Sequence, residues 1–202
     1  MTMIAALQGC FTGSFTYLSG VLAADDPAVP TPTAAELLAR PDLTEILTRR
    51  CGPAAVPATR RAAASMWSQY YCGVVGVPVV AAAMLAGRRL PITPDTCRIA
   101  CDPTGQPCGF RIAADHQLVP AGDPLEVIDS LISDHLLPVF DRLAEAGGLV
   151  NPLKGMLTRR PPDEVQPGEG AFRRKICCLR YQLEGFADCG TLCPLPGRGD
   201  CG

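Results

Sequence analysis

The chain has 202 residues, 48% of them hydrophobic, which is the size and composition of one globular domain with or without a small appendage. Its 18 basic and 20 acidic side chains give a net charge of −2, which argues against the cationic surface that nucleic-acid binding requires, so we expect no nucleic-acid partner. The unusual feature is the 11 cysteines, an odd number that excludes complete pairing in intramolecular disulfides.

The first 30 residues show only weak patterning and lack the features of a secretion signal. The first basic residue is Arg40, and polar side chains interrupt the apolar character of residues 1–24. A signal peptide needs a positively charged start followed by an unbroken apolar stretch. We therefore expect a cytoplasmic protein, in which clustered cysteines are reduced and more often bind metals or carry redox chemistry.

Two helices are predicted in the first ninety residues. Thr33 and Glu36 have the spacing of a capping box, which predicts the start of a helix. A longer helix is predicted over 59–87, because this stretch begins amphipathic and becomes apolar all round, as is typical of a central helix. Residues 70–87 carry no charge and reach the short limit of a membrane span. We favour a core helix kinked at Pro78 and expect no transmembrane span; peripheral membrane association is left open.

A β-hairpin and a second long helix follow. Residues 96–113 alternate in polarity on either side of a turn sequence at 102–105, which predicts the hairpin. Asp123-Pro-Leu-Glu126 has the residues of a helix start, and apolar residues then recur at helical spacing up to Gly147-Gly148. These elements predict an α+β fold, a helix-rich domain with a β-hairpin or small antiparallel sheet.

A polar linker rich in proline and glycine follows the late helix, with Arg159-Arg-Pro-Pro162 and Pro167-Gly-Glu-Gly170. We therefore divide the chain into a domain over 1–160 and a C-terminal segment over 161–202. This segment is too short and too poor in apolar residues to fold without a metal or cofactor.

The C-terminal segment contains four cysteines in a distinctive pattern. Cys177 and Cys178 are adjacent, and Cys189 and Cys193 follow after ten intervening residues. Four converging thiolates suit a zinc ion or an iron–sulfur cluster. Adjacent side chains diverge on most backbones, which favours the larger two-iron cluster over a single ion. Zinc and redox-active thiols remain the alternatives.

The remaining cysteines and the two histidines are given structural roles. Six cysteines are interpreted as buried packing thiols: Cys10, Cys51, Cys72, Cys97, Cys101 and Cys108. His116 is expected in a solvated loop, and His135 is expected to be structural or partly exposed. The sequence contains no phosphate loop and no dinucleotide fingerprint, so we expect no nucleotide or flavin bound to the chain itself.

The cysteine pattern resembles the C-terminal signature of the ferric iron reductase (FhuF-like) family, Cys-Cys-x10-Cys-x2-Cys. Upstream, Ser65-Met-Trp-Ser-Gln-Tyr70-Tyr71, Arg98-Ile-Ala-Cys-Asp-Pro-Thr-Gly105 and His135-Leu-Leu-Pro-Val-Phe140 are similar to the family's central helix, hairpin and late helix, in the same order. The resemblance covers roughly residues 35 to 195. The final pair departs from the pattern, since three residues separate Cys189 from Cys193, and Cys201 lies eight residues on as a substitute fourth ligand.

The resemblance implies a ferric-siderophore reductase that uses a [2Fe–2S] cluster held by Cys177, Cys178, Cys189 and Cys193. Its substrate is a ferric siderophore, and its electron comes from an external donor such as a ferredoxin or a flavin reductase. Candidate substrate-binding residues are Trp67, Tyr70, Arg98, Arg174 and Arg180. The competing interpretations are a zinc-stabilised module that binds a small molecule or a protein, and a thiol redox sensor.

Overall fold

The computed structural model describes residues 3–28, 30–49, 56–113, 116–147 and 182–183. Within them, the fold is α+β and rich in helix, as predicted. The helices are α1 (Met3–Gln8), α2 (Leu18–Val21), α3 (Ala34–Leu38), α4 (Leu43–Thr48), α5 (Pro57–Ala86), α6 (Pro124–Ser130) and α7 (Leu137–Gly147), with a 3₁₀ turn at Gly13–Phe15 and a π-helical segment at Leu131–Leu136. The strands are β1 (Leu22–Ala24), β2 (Arg88–Arg89), β3 (Arg98–Cys101), β4 (Pro107–Ile112) and β5 (Val119–Pro120).

Helix α3 begins at the predicted capping box. The Glu36 backbone N–H donates to the Thr33 hydroxyl at 3.1 Å, and the Thr33 N–H donates to the Glu36 carboxylate at 2.7 Å. Thr33 also forms an isolated antiparallel bridge with Arg98. The cap therefore satisfies two free N–H groups and fixes the start of α3 beside the sheet.

Helix α5 is the centre of the fold, as the sequence predicts. It runs through Pro78 as one element and ends at Gly87, whose φ of 60° is a left-handed conformation that suits glycine. It contacts β4, α4, α6 and α7. By length and composition it is the one helix among the described residues that could cross a membrane, yet 44% of its most apolar stretch is buried inside the molecule. Its packing on several sides is that of a core helix.

The three-stranded sheet has the order β1–β4–β3 and is mixed rather than antiparallel throughout. Strands β3 and β4 form the predicted antiparallel hairpin, with Ile99 paired to Phe110 in the core. Strand β1 adds to β4 in parallel, with Leu22 opposite Phe110. The parallel third strand is an addition to the predicted hairpin, and the sequence did not indicate it because the N-terminal region has little periodicity.

The late helix begins as predicted and is interrupted in its middle. The Asp123 carboxylate accepts a hydrogen bond from the Leu125 N–H at 2.9 Å and caps α6. The π-helical segment at Leu131–Leu136 then separates α6 from α7, and it holds His135. A π-helical turn widens the helix by one residue, and such turns occur frequently at functional sites. Here it carries His135 into the core.

Candidate functional site

Leu183 joins the C-terminal segment to the central helix. It lies in the ten-residue gap between the two cysteine pairs, and its side chain is 8% exposed. It forms a small apolar cluster with Ala62, Ala63 and Met66 in the N-terminal half of α5. Leu183, within the gap between the predicted ligand pairs, therefore contacts α5.

The predicted ligands and their neighbouring cations lie outside the described residues: Cys177, Cys178, Cys189, Cys193, Cys201, Arg174 and Arg180. The donor set can still be compared with the expected group. Four thiolates are the ligand set of a [2Fe–2S] cluster. The residues present therefore fit the group chemically.

Trp67 and Tyr70 are neighbours on α5 with different environments. Trp67 is fully buried, and its indole N–H donates to the Gly105 carbonyl at 2.8 Å. The expected contact of Trp67 with a ligand is corrected accordingly, because a ligand on the surface cannot touch a side chain without exposed area. Tyr70 is 40% exposed and is the accessible aromatic residue of this stretch.

Arg98 has structural partners that the sequence did not indicate. Its guanidinium lies 3.6 Å from the buried carboxylate of Asp25 and donates to the Thr31 carbonyl at 2.6 Å. These contacts hold the loop that precedes α3 against strand β3. The Arg98 side chain remains 28% exposed. No hydrogen bond or ion pair joins Arg98 to Tyr70 in the described part of the chain, so the two candidate binding residues do not form one contact network.

A buried aromatic column in the core was not predicted. Tyr71 stacks between Trp67 and His135, with ring centroids 5.3 and 5.7 Å away. The Tyr71 hydroxyl oxygen lies 2.7 Å from His135 Nε2. Burial lowers the pKa of His135 to about 4 and raises the pKa of Tyr71 well above its usual value. Both groups are therefore neutral at pH 7. The four-residue spacing of Trp67 and Tyr71, one helical turn, is the sequence signal that places them on one face.

The upstream cysteines are only partly the buried thiols that we expected. Cys97 is buried and Cys72 and Cys101 are half-buried, whereas Cys10 and Cys108 are exposed. Cys51 lies outside the described residues. Burial raises the pKa of the Cys72 and Cys101 thiols to about 11, so both remain protonated near pH 7.

The two exposed cysteines have local explanations. Cys10 lies in the exposed turn after α1. In the hairpin, Ala100 pairs with Gly109 and Cys101 pairs with Pro107, which leaves Cys108 as the extra residue of a bulge. Among the residues that the structure describes, no three cysteine, histidine or acidic side chains are grouped to hold a metal ion. The candidate metal centre is therefore the C-terminal set.

Two family models match the chain. The model described as a ferric iron reductase FhuF-like transporter matches residues 65–152, and the model described as a FhuF 2Fe-2S C-terminal domain matches residues 174–195. The second match contains all four predicted ligands and ends before Cys201. It identifies the bound group as a [2Fe–2S] cluster rather than zinc. A comparison with curated proteins finds no match.

Proposed function

Because the chain belongs to the ferric iron reductase FhuF-like family, we propose that it releases iron from a ferric siderophore by one-electron reduction in the cytoplasm. The observation that carries the proposal is the four-cysteine donor set inside the matched 2Fe-2S domain. When bound there, a [2Fe–2S] cluster supplies one electron at a time. Oxygen-donor chelators hold Fe(III) far more tightly than Fe(II), so a single electron loosens the complex.

The C-terminal residues have two roles in this proposal. Cys177, Cys178, Cys189 and Cys193 hold the cluster; the matched range includes Cys193 and ends before Cys201, which favours Cys193 as the fourth ligand over the substitute Cys201. Arg174 and Arg180 flank the first cysteine pair in the sequence. Their positive charges stabilise the additional negative charge of the reduced site and attract an anionic ferric chelate.

The upstream residues provide the substrate surface. The proposal assigns a siderophore-binding domain to 1–160 and a cluster-binding segment to 161–202, with the boundary in the gap between the two family matches. Tyr70 offers an accessible aromatic ring, and Arg98 keeps part of its side chain exposed. The electron enters from an external donor of the ferredoxin or flavin reductase class.

The composition of protein purified without oxygen tests the cofactor and its ligands together. We expect a red-brown protein with near-equimolar iron and labile sulfide, and a paramagnetic signal after one-electron reduction. Cys189→Ser should lose iron and sulfide, whereas Cys10→Ser should retain both because Cys10 is an exposed thiol at the end of α1. A colourless protein holding one zinc ion would contradict the proposal.

The fourth ligand is tested in the same preparations. Cys193→Ser should lose the cluster and Cys201→Ser should keep it, since only Cys193 lies within the matched domain. The reverse result assigns Cys201 as the ligand, and it would mean that the longer loop after Cys189 displaces Cys193 from the site.

A further inference from the structure

We propose that Leu183 anchors the ligand-bearing segment to the N-terminal half of α5. We further propose that the ferric siderophore binds next to this segment, on the surface of α5 around Tyr70. The anchor rests on the observed packing of Leu183. The position of the siderophore rests in addition on the function proposed above.

The contact partners of Leu183 form an apolar seat on α5. We call Ala62, Ala63 and Met66 the anchor seat; these residues are 0%, 2% and 2% exposed. Leu183 itself is 8% exposed, although it belongs to a segment with few apolar residues. A leucine that is almost fully buried against apolar helix residues gains the free energy of removing its side chain from water. The contact is therefore suited to hold the segment in place.

Chain length limits how far the ligands can lie from the anchor seat. Cys178 is five residues before Leu183, and Cys189 is six residues after it. Five residues of fully extended chain span at most about 18 Å. Because all four thiolates bind one small group, the shorter connection sets the limit for the whole site.

The surface of α5 beside the anchor seat is open. Tyr70 lies seven residues after Ala63, which places it on the same face, about 10 Å further along the helix axis. Gly73 lies seven residues after Met66 and is exposed, and apart from its own helix no described residue comes within 4 Å of the position that a Cβ would occupy. An exposed aromatic ring beside an open patch offers the ferric chelate an accessible contact surface.

A second candidate surface is too distant. A cavity of about 290 Å³ lies at the other end of α5. Its lining residues are Ala6, Leu7, Cys10, Ala86, Arg88 and Leu118. Ala86 is 20 residues beyond Met66, which corresponds to about 30 Å along the helix. That distance exceeds the reach of the ligand segment from its anchor, so the geometry favours the Tyr70 surface.

Trp67 makes the anchor measurable without any assay of activity. It is the single tryptophan of the chain, it follows Met66 directly, and it is fully buried. An iron–sulfur group held nearby quenches its fluorescence by energy transfer. In protein with a full complement of iron, Leu183→Ala should raise the Trp67 emission toward that of the iron-free protein. Leu183→Met, which keeps an apolar side chain of similar volume, should retain the quenching.

The matched control is Leu125→Ala, since Leu125 is 67% exposed on α6 and should leave the emission unchanged. If Leu183→Ala fails to fold, Ala62→Leu tests the same contact from the other side. The larger side chain on α5 occupies the space that Leu183 fills, so it should displace Leu183 and raise the Trp67 emission. Quenching that persists in fully loaded Leu183→Ala or Ala62→Leu would overturn the anchor.

The siderophore surface is tested by the rate at which ferric hydroxamate and ferric catecholate chelates re-oxidise the reduced protein. Tyr70→Ala should raise the chelate concentration that gives the half-maximal rate, and Tyr17→Ala, at a tyrosine 57% exposed, should not. Equal values in both variants would overturn the placement at Tyr70. If the wild-type protein is not re-oxidised by either chelate, the proposed function fails, and the emission of Trp67 still decides the anchor.

Discussion

His135 shows how strongly burial sets the chemistry of a single side chain in this fold. Its side chain has no exposed surface, and Nε2 lies 2.7 Å from the Tyr71 hydroxyl. Burial lowers its pKa from 6.5 to about 4, because the charged imidazolium loses the water that would stabilise it. The imidazole is therefore neutral near pH 7, which makes it a structural group and a poor proton donor.

The stability of the protein should consequently fall in acid because of this one residue. Between pH 6.5 and about 4, His135 is protonated in the unfolded chain but neutral in the folded protein. Because the unfolded state binds the additional proton, the free energy of unfolding decreases as the pH falls. A shift of this size corresponds to a loss of about 3 kcal/mol across the whole window. Urea unfolding of the iron-free protein between pH 7 and pH 5 measures the upper part of this loss.

Replacing the imidazole supplies the test. His135→Gln should flatten the pH dependence, since glutamine does not titrate. An identical slope in the wild-type protein and in His135→Gln would show that carboxylates, and not His135, govern the acid sensitivity.

Single residues were predictable where their role depends on neighbours along the chain. The capping box at Thr33 and the cysteine pattern are of this kind. The burial of Trp67 was not predictable, because α5 is apolar nearly all round and its sequence does not tell which flank is covered. The exposure of Cys108 depends on a bulge that arises only when β3 and β4 pair.

The hairpin turn is the element whose local geometry depends most clearly on contacts with two helices. Its Gly105 has a φ of 84°, and a Cβ there would lie 3.1 Å from the Ile46 carbonyl of α4. The Gly105 carbonyl accepts the hydrogen bond from Trp67 of α5. The turn is thus fixed between α4 and α5, and glycine is required both by backbone conformation and by space.

Gly105→Ala should therefore destabilise the protein. The left-handed conformation alone costs about 1–2 kcal/mol for alanine. The close approach of Ile46 adds to that cost. Gly76→Ala is the matched control, because Gly76 lies inside α5 and no described residue outside that helix comes within 4 Å of its Cβ position. This variant should gain about 0.5–1 kcal/mol from helix propensity. Urea midpoints of the two variants should move in opposite directions, and parallel movement would refute the argument.

At the level of elements, the sequence predicted those with local signals. The central helix, the hairpin and the start of α6 were located to within a few residues. The parallel pairing of β1 with β4 was missed because it joins Leu22 to Phe110, a long-range contact with no signal in either segment. The π-helical segment was missed because the apolar spacing of residues 125–143 is consistent with an uninterrupted helix.

The molecule as a whole combines a helical core with a ligand-bearing segment that touches it at Leu183. The sequence was sufficient for the family and the cofactor, because the cysteine spacing is a pattern of the chain itself. It was not sufficient for the attachment of the segment, since the anchor seat consists of two alanines and a methionine without any distinguishing motif. The division into 1–160 and 161–202 stays a prediction.

Anaerobic stopped-flow spectroscopy tests the central claim most directly. The cluster-loaded protein is reduced, freed of excess reductant, and mixed with a ferric hydroxamate or ferric catecholate siderophore in the presence of a chelator specific for Fe(II). We predict that the visible spectrum of the oxidised protein returns while one Fe(II) appears for each electron lost. A reduced protein that stays reduced with both siderophores, or that is re-oxidised without release of Fe(II), would contradict the account.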